Sequence, residues 1–151
     1  MSRFISSLVV AMVGLVLSVS SSASFDGGEF VVAKGRVVCL ESTGRPNDSL
    51  FACAEPNARF GLASREGKLY KFLSTDPMTP VFTDARVRER ELQVTGRLVG
   101  ADQLEIIKVQ SIKDGKLYDI YYFCELCNIK AYTPGLCPCC RNELEFRETQ
   151  P

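Results

Sequence analysis

Apolar and polar positions alternate through most of the middle of the chain. Residues 29–40 read Glu-Phe-Val-Val-Ala-Lys-Gly-Arg-Val-Val-Cys-Leu. This predicts a long strand that bends or bulges at Gly35. Residues 41–59 hold Gly44, Pro46, Asn47, Asp48, Pro56 and Asn57 and predict a loop excursion. Residues 60–64 and 68–73 flank Glu66-Gly67 and predict a hairpin. Residues 74–89, broken by Asp76-Pro77 and Pro80, predict an irregular connector with one short helical turn. Alternation returns over residues 91–98 and 104–111, and Asp114-Gly115 then turns the chain into a last run at 116–123. Six strand-like runs without an amphipathic helix predict a mainly β fold, a small barrel or a sandwich.

The order of these runs is a long bent strand, a hairpin, an irregular connector and two more strands. Over residues 29–112 it resembles the OB-fold barrel. The likeness rests on pattern alone.

The N-terminus has a different character. Arg3 precedes an uncharged stretch from Leu8 to Leu17, and Ser21 and Ala23 follow as small residues two apart. That pattern predicts a signal peptide over residues 1–23. The run is about half the roughly 20 residues needed to span a bilayer. An uncleaved signal is therefore the one route by which this chain would attach to a membrane. The mature chain, 24–151, is expected in the periplasm or the external medium, where disulfides persist.

Composition narrows the chemistry. A length of 151 residues predicts one domain, or one domain plus a small module, and the division expected is a barrel over 24–123 and a cysteine-rich unit over 124–151. Apolar residues make up 46%, enough to form a core, so general disorder is excluded. Lys and Arg (18) balance Asp and Glu (18), which argues against a nucleic-acid partner. The chain contains no histidine. That excludes Ser-His-Asp and Cys-His catalysis, histidine bases and histidine-bearing zinc sites. No Gly-rich phosphate loop or nucleophile motif is present either, and no enzyme is indicated.

Seven cysteines are the strongest signal. Cys124-Glu125-Leu126-Cys127 and Cys137-Pro138-Cys139-Cys140 are two C-x-x-C turns separated by nine residues. Each turn places two sulfurs on one side of a tight loop, where backbone N–H groups donate to the thiolates. Two such turns facing each other supply a tetrahedral four-sulfur shell. The segments 122–127 and 137–144 resemble the zinc-ribbon and rubredoxin-like modules. The resemblance implies a zinc-ribbon unit over 124–151, with ligand roles for Cys124, Cys127, Cys137 and Cys140. That family usually carries Gly after each second cysteine, whereas this chain has Asn128 and Arg141. The whole arrangement also resembles exported bacterial proteins, a likeness that implies no activity.

Zn(2+) is the expected metal because it is redox-inert, with iron as the alternative. The disulfides 124–127 and 137–140 are the metal-free alternative. Thr133, Pro134 and Gly135 interrupt any helix that would favour a redox-active C-x-x-C. Cys39 and Cys53 form the expected disulfide, closing a 15-residue loop worth about 3 kcal/mol. Cys139 is left as an extra thiol: a spare ligand, a reactive group or the tolerated middle of its turn.

Two further stretches are expected to be structural: residues 84–91 as a solvated mixed-charge face, and Tyr118, Tyr121, Tyr122 and Phe123 as sheet packing. Glu89 and Glu91 are expected on one face of a strand. The sequence thus points to an exported zinc-binding module that binds or scaffolds a protein partner. The rivals are a metal-handling or thiol-redox (electron-transfer) protein and an oligonucleotide-binding barrel.

Overall fold

A computed structural model of the chain describes residues 28–47, 52–55 and 57–151. The expected signal peptide, residues 1–23, lies outside the described residues. The fold is mainly β, in a single nine-stranded sheet. The strands are β1 (Phe30–Leu40), β2 (Pro46–Asn47), β3 (Arg59–Ser64), β4 (Leu69–Phe72), β5 (Leu92–Val99), β6 (Gln103–Lys113), β7 (Lys116–Cys124), β8 (Ile129–Ala131) and β9 (Glu145–Thr149). All six expected runs are strands.

β1 passes from one neighbour to another at Gly35. Its first half pairs with β5 and its second half with β3, and Gly35 is in register with both Leu92 and Ser64. A Cβ at this position would collide with the Ala63 carbonyl oxygen, so glycine permits the close approach. β3 pairs with β4, and β5 with β6. β4 meets β6 in parallel through two residue pairs, Lys71 with Gln103 and Phe72 with Leu104. The pairings therefore run in a ring, β1–β3–β4–β6–β5 and back to β1, with its shortest seam between β4 and β6.

The connector between β4 and β5 enters the core instead of lying on the surface. A 3-10 turn, Thr79–Thr83, precedes the four-residue helix α1, Ala85–Arg88, so there are two helical turns where one was expected. Val81, Phe82 and Val87 are at most 1% exposed. Phe82 stacks on Phe72 with ring centres 4.6 Å apart. Leu62, Leu92, Val94, Leu104 and Tyr122 are fully buried as well. Apolar burial drives this packing at roughly 25 cal/mol per Å² removed from water.

The solvated face expected at residues 84–91 forms only in part: Ala85, Arg86 and Glu89 are exposed, but the run is also tied into the fold. Asp84 caps α1 by accepting from the Arg86 N–H, and its carboxylate also accepts from the Tyr122 hydroxyl at 2.9 Å. Arg88 donates to the carbonyls of Phe82 and Thr83. Arg90 forks onto Glu148 through two 2.7 Å hydrogen bonds. The guanidinium carbons of Arg86 and Arg90 sit 4.7 and 5.2 Å from the centre of the Phe146 ring. Asp84, Arg86 and Arg90 thus tie the connector to β7 and β9, with partners 38 to 60 positions away in sequence, which no local pattern reveals. Glu89 and Glu91 are not on a strand either. Glu89 is the C-cap of α1, and Glu91 precedes β5 and pairs with Arg65.

Candidate metal centre

β7 delivers the chain to this centre. It leaves the β6 hairpin at Lys116 and ends at Cys124, and its second half is held on both edges, by β8 and by β9. β8 and β9 follow the cysteine turns and had no counterpart among the expected runs. After Cys124 the chain turns tightly through Cys127. Asn128 takes the left-handed conformation at φ 53° and leads into β8. The second turn is the tip of a small hairpin. Leu136 bridges to Glu143, the Cys137 N–H donates to the Asn142 carbonyl at 2.8 Å, and the Arg141 N–H donates back to the Cys137 carbonyl at 3.0 Å.

Arg141 itself sits at φ 65°. The position that is usually glycine in ribbon modules thus keeps its left-handed backbone with an arginine in place, at a cost of about 1–2 kcal/mol. Hairpin closure overrides that local penalty. Glu125, inside the first turn, pairs with Arg147 of β9, which also covers the face of Phe123 at 4.6 Å. The first turn is therefore tied to the last strand as well as to β7.

The ligand atoms of Cys124, Cys127, Cys137 and Cys140 all lie within 4.8 Å of one another, and the Cys124 and Cys140 sulfurs are 3.5 Å apart. A tetrahedral site with metal–sulfur bonds of 2.3 Å has edges of about 3.8 Å. Both the donor set and its size fit a metal ion. Cys124 and Cys137 are buried, while Cys127 and Cys140 are half-buried.

The first cysteine of each turn receives backbone N–H donation, from Cys127 to Cys124 and from Cys140 and Cys139 to Cys137. The Cys140 N–H contributes most to holding the Cys137 thiol down at about 7, against the opposing effect of burial. The Cys127 thiol is pushed up, first by hydrogen bonding to the Cys139 thiol and then to that of Cys140. Cys139 is exposed, beside the cluster and outside it.

The other two cysteines are elsewhere in the fold. Cys39, in β1, and Cys53, in the 3-10 turn Ala52–Ala54, lie at disulfide distance with Cα atoms 5.4 Å apart. Among the aromatic residues, Tyr122 is fully buried against Phe146, with ring centres 5.7 Å apart. Tyr121 carries the Lys130 ammonium over its ring at 4.3 Å. Sequence reasoning passed over Lys130 and its neighbour Tyr132, for which a Lys-x-Tyr alternation at 130–132 was the only signal.

Comparison with known proteins returns no matching family model, no similar curated protein and no similar solved structure. What defines this chain is its own geometry: a mainly β protein with a four-cysteine cluster able to hold a metal ion.

Proposed function

We propose that this chain is an exported zinc-binding module in which an OB-like barrel, residues 24–123, carries a C-terminal zinc ribbon, residues 124–151, and docks a protein partner. The carrying observation is the convergence of four sulfurs within 4.8 Å from two turns that each donate backbone N–H to the sulfur of their first cysteine. The ring of strand pairings, with one parallel seam and a buried connector before β5, supports the barrel. Export is supported by the uncharged run before residue 23 and by the Cys39–Cys53 pair, which suits an oxidising compartment. No helix among the described residues is long and apolar enough to cross a membrane.

Zinc bound by four cysteines has no open coordination position, so its contribution is a cross-link between two hairpins. The protein does the rest: β7 presents Cys124, β8 and β9 hold the first turn, and the hairpin at residues 136–143 presents Cys137 and Cys140.

Metal analysis and thiol counting on the natively exported protein test this proposal. One zinc per chain is expected, together with a mature N-terminus at Ser24 and rapid alkylation of Cys139 alone. Cys140→Ser should lose the metal and Cys139→Ser should keep it. A red, iron-containing protein would replace the structural role with electron transfer. A metal-free protein with 124–127 and 137–140 disulfides would remove the metal site altogether.

A further inference from the structure

β6 and β8 lie along the same edge of β7 without meeting. β6 pairs with β7 as far as Asp119, and β8 resumes at Tyr122, leaving Ile120 and Tyr121 between them. β9 covers the opposite edge continuously from Asp119 to Phe123. A cleft of about 350 Å³ opens at the gap. That volume is at the small end of the range for ligand sites.

The cleft is apolar inside and charged on its walls. Met78, Val109 and the buried Ile120 line it. Ile107 and Tyr132, 52% and 51% exposed, line it as well, so two of the large exposed hydrophobic side chains share this one place. Lys108 is already neutralised by Asp119 at 2.8 Å, and Asp119 also accepts from Gln110. Lys130 differs. Its ammonium lies 4.3 Å from the Tyr121 ring and 5.3 Å from the Tyr132 ring, and it makes no ion pair among the described residues.

We propose that this cleft binds a compact apolar monocarboxylic acid, with its carboxylate on the Lys130 ammonium and its hydrocarbon body between Ile107 and Tyr132. Charge complementarity selects the ligand. Two ammonium groups, Lys108 and Lys130, share the one Asp119 carboxylate, so the cleft keeps one net positive charge that a single negative charge completes, and Asp119 repels a second. The apolar walls favour a hydrocarbon body over a free inorganic anion. None of its lining residues is a cysteine, although Lys130 stands on β8, three positions after Cys127.

The mature chain, as purified with whatever metal it carries, is titrated with 2-naphthoate, 2-naphthalenemethanol and acetate. Backbone amide shifts and ligand fluorescence are followed. Saturable naphthoate binding is expected, with shifts centred on Ile107, Ile120 and Tyr132. The neutral alcohol and acetate should each bind about tenfold more weakly or worse. Lys130→Met should weaken naphthoate by about tenfold and leave the alcohol unchanged, while Lys130→Arg should retain binding. Ile107→Glu, at an exposed position, should abolish binding with the rest of the amide spectrum intact. Equal binding of acid and alcohol, an unaffected Lys130→Met variant, shifts centred elsewhere, or no naphthoate binding at all would each overturn the proposal.

Discussion

Glu148 is the residue whose loss should be felt most widely. It stands on β9 with a side chain only 6% exposed, and its carboxylate accepts from Arg90, Lys113 and the Ser111 hydroxyl at 2.6–2.7 Å. Burial alone would raise its pKa. Hydrogen bonds from Arg90, Lys113 and Ser111 outweigh burial and hold the carboxyl at about 2, below its ordinary 4.5. At 1.36 kcal/mol per pH unit, that difference is worth about 3 kcal/mol of folding stability at neutral pH.

The sign follows from the direction of the shift. A folded-state value below the unfolded one gives stability that is fully present above pH 4.5 and is lost as pH falls toward 2. Glu148→Gln should therefore lower the unfolding free energy by about 3 kcal/mol at pH 7, within the range for breaking a buried ion pair. The gap between variant and parent should close as the pH approaches 2. Urea unfolding followed by far-ultraviolet circular dichroism, repeated in steps from pH 7 to pH 2, measures both. A loss below about 1 kcal/mol at pH 7, the size of an exposed pair, would refute the argument, as would a loss that does not shrink with acid.

Arg141→Gly should stabilise the second cysteine turn by about 0.5–1 kcal/mol, because relief of the left-handed penalty exceeds the extra chain entropy of glycine. Thermal unfolding of the metal-loaded protein checks it, and a destabilised variant would show that the exposed arginine side chain has a role of its own. Cys39→Ser should cost about 3 kcal/mol in the chain-entropy description of a disulfide and leave the metal content unchanged. Non-reducing peptide mapping of the parent should recover the linked pair, and free alkylation of both thiols in the folded protein would contradict it. Removing the metal with a chelator should increase hydrogen exchange in β8 and β9 before β1, β3 and β5, because both late strands are anchored next to the cysteine turns.

The strands of the ring were legible one at a time because alternation is a local property, carried by neighbours such as Leu92, Val94 and their polar intervening residues. The two cysteine turns were legible for a similar reason: a spacing of three residues sets a tight loop whatever lies around it. The Cys39–Cys53 pairing needed only a loop of ordinary length. The role of residues 84–91 was not legible. Asp84, Arg86 and Arg90 look like any hydrated charge run until Tyr122, Phe146 and Glu148 are brought against them from 38 or more positions away. β8 and β9 are too short to show a period, and they exist because β7 offers two free edges beside the cysteine turns. Arg141 takes a backbone conformation its residue type resists, because closure of the hairpin outweighs a local preference of about 1–2 kcal/mol. The cleft at Lys130 leaves nothing in the sequence beyond a Lys-x-Tyr alternation, since it is the space left where two strands share an edge and part.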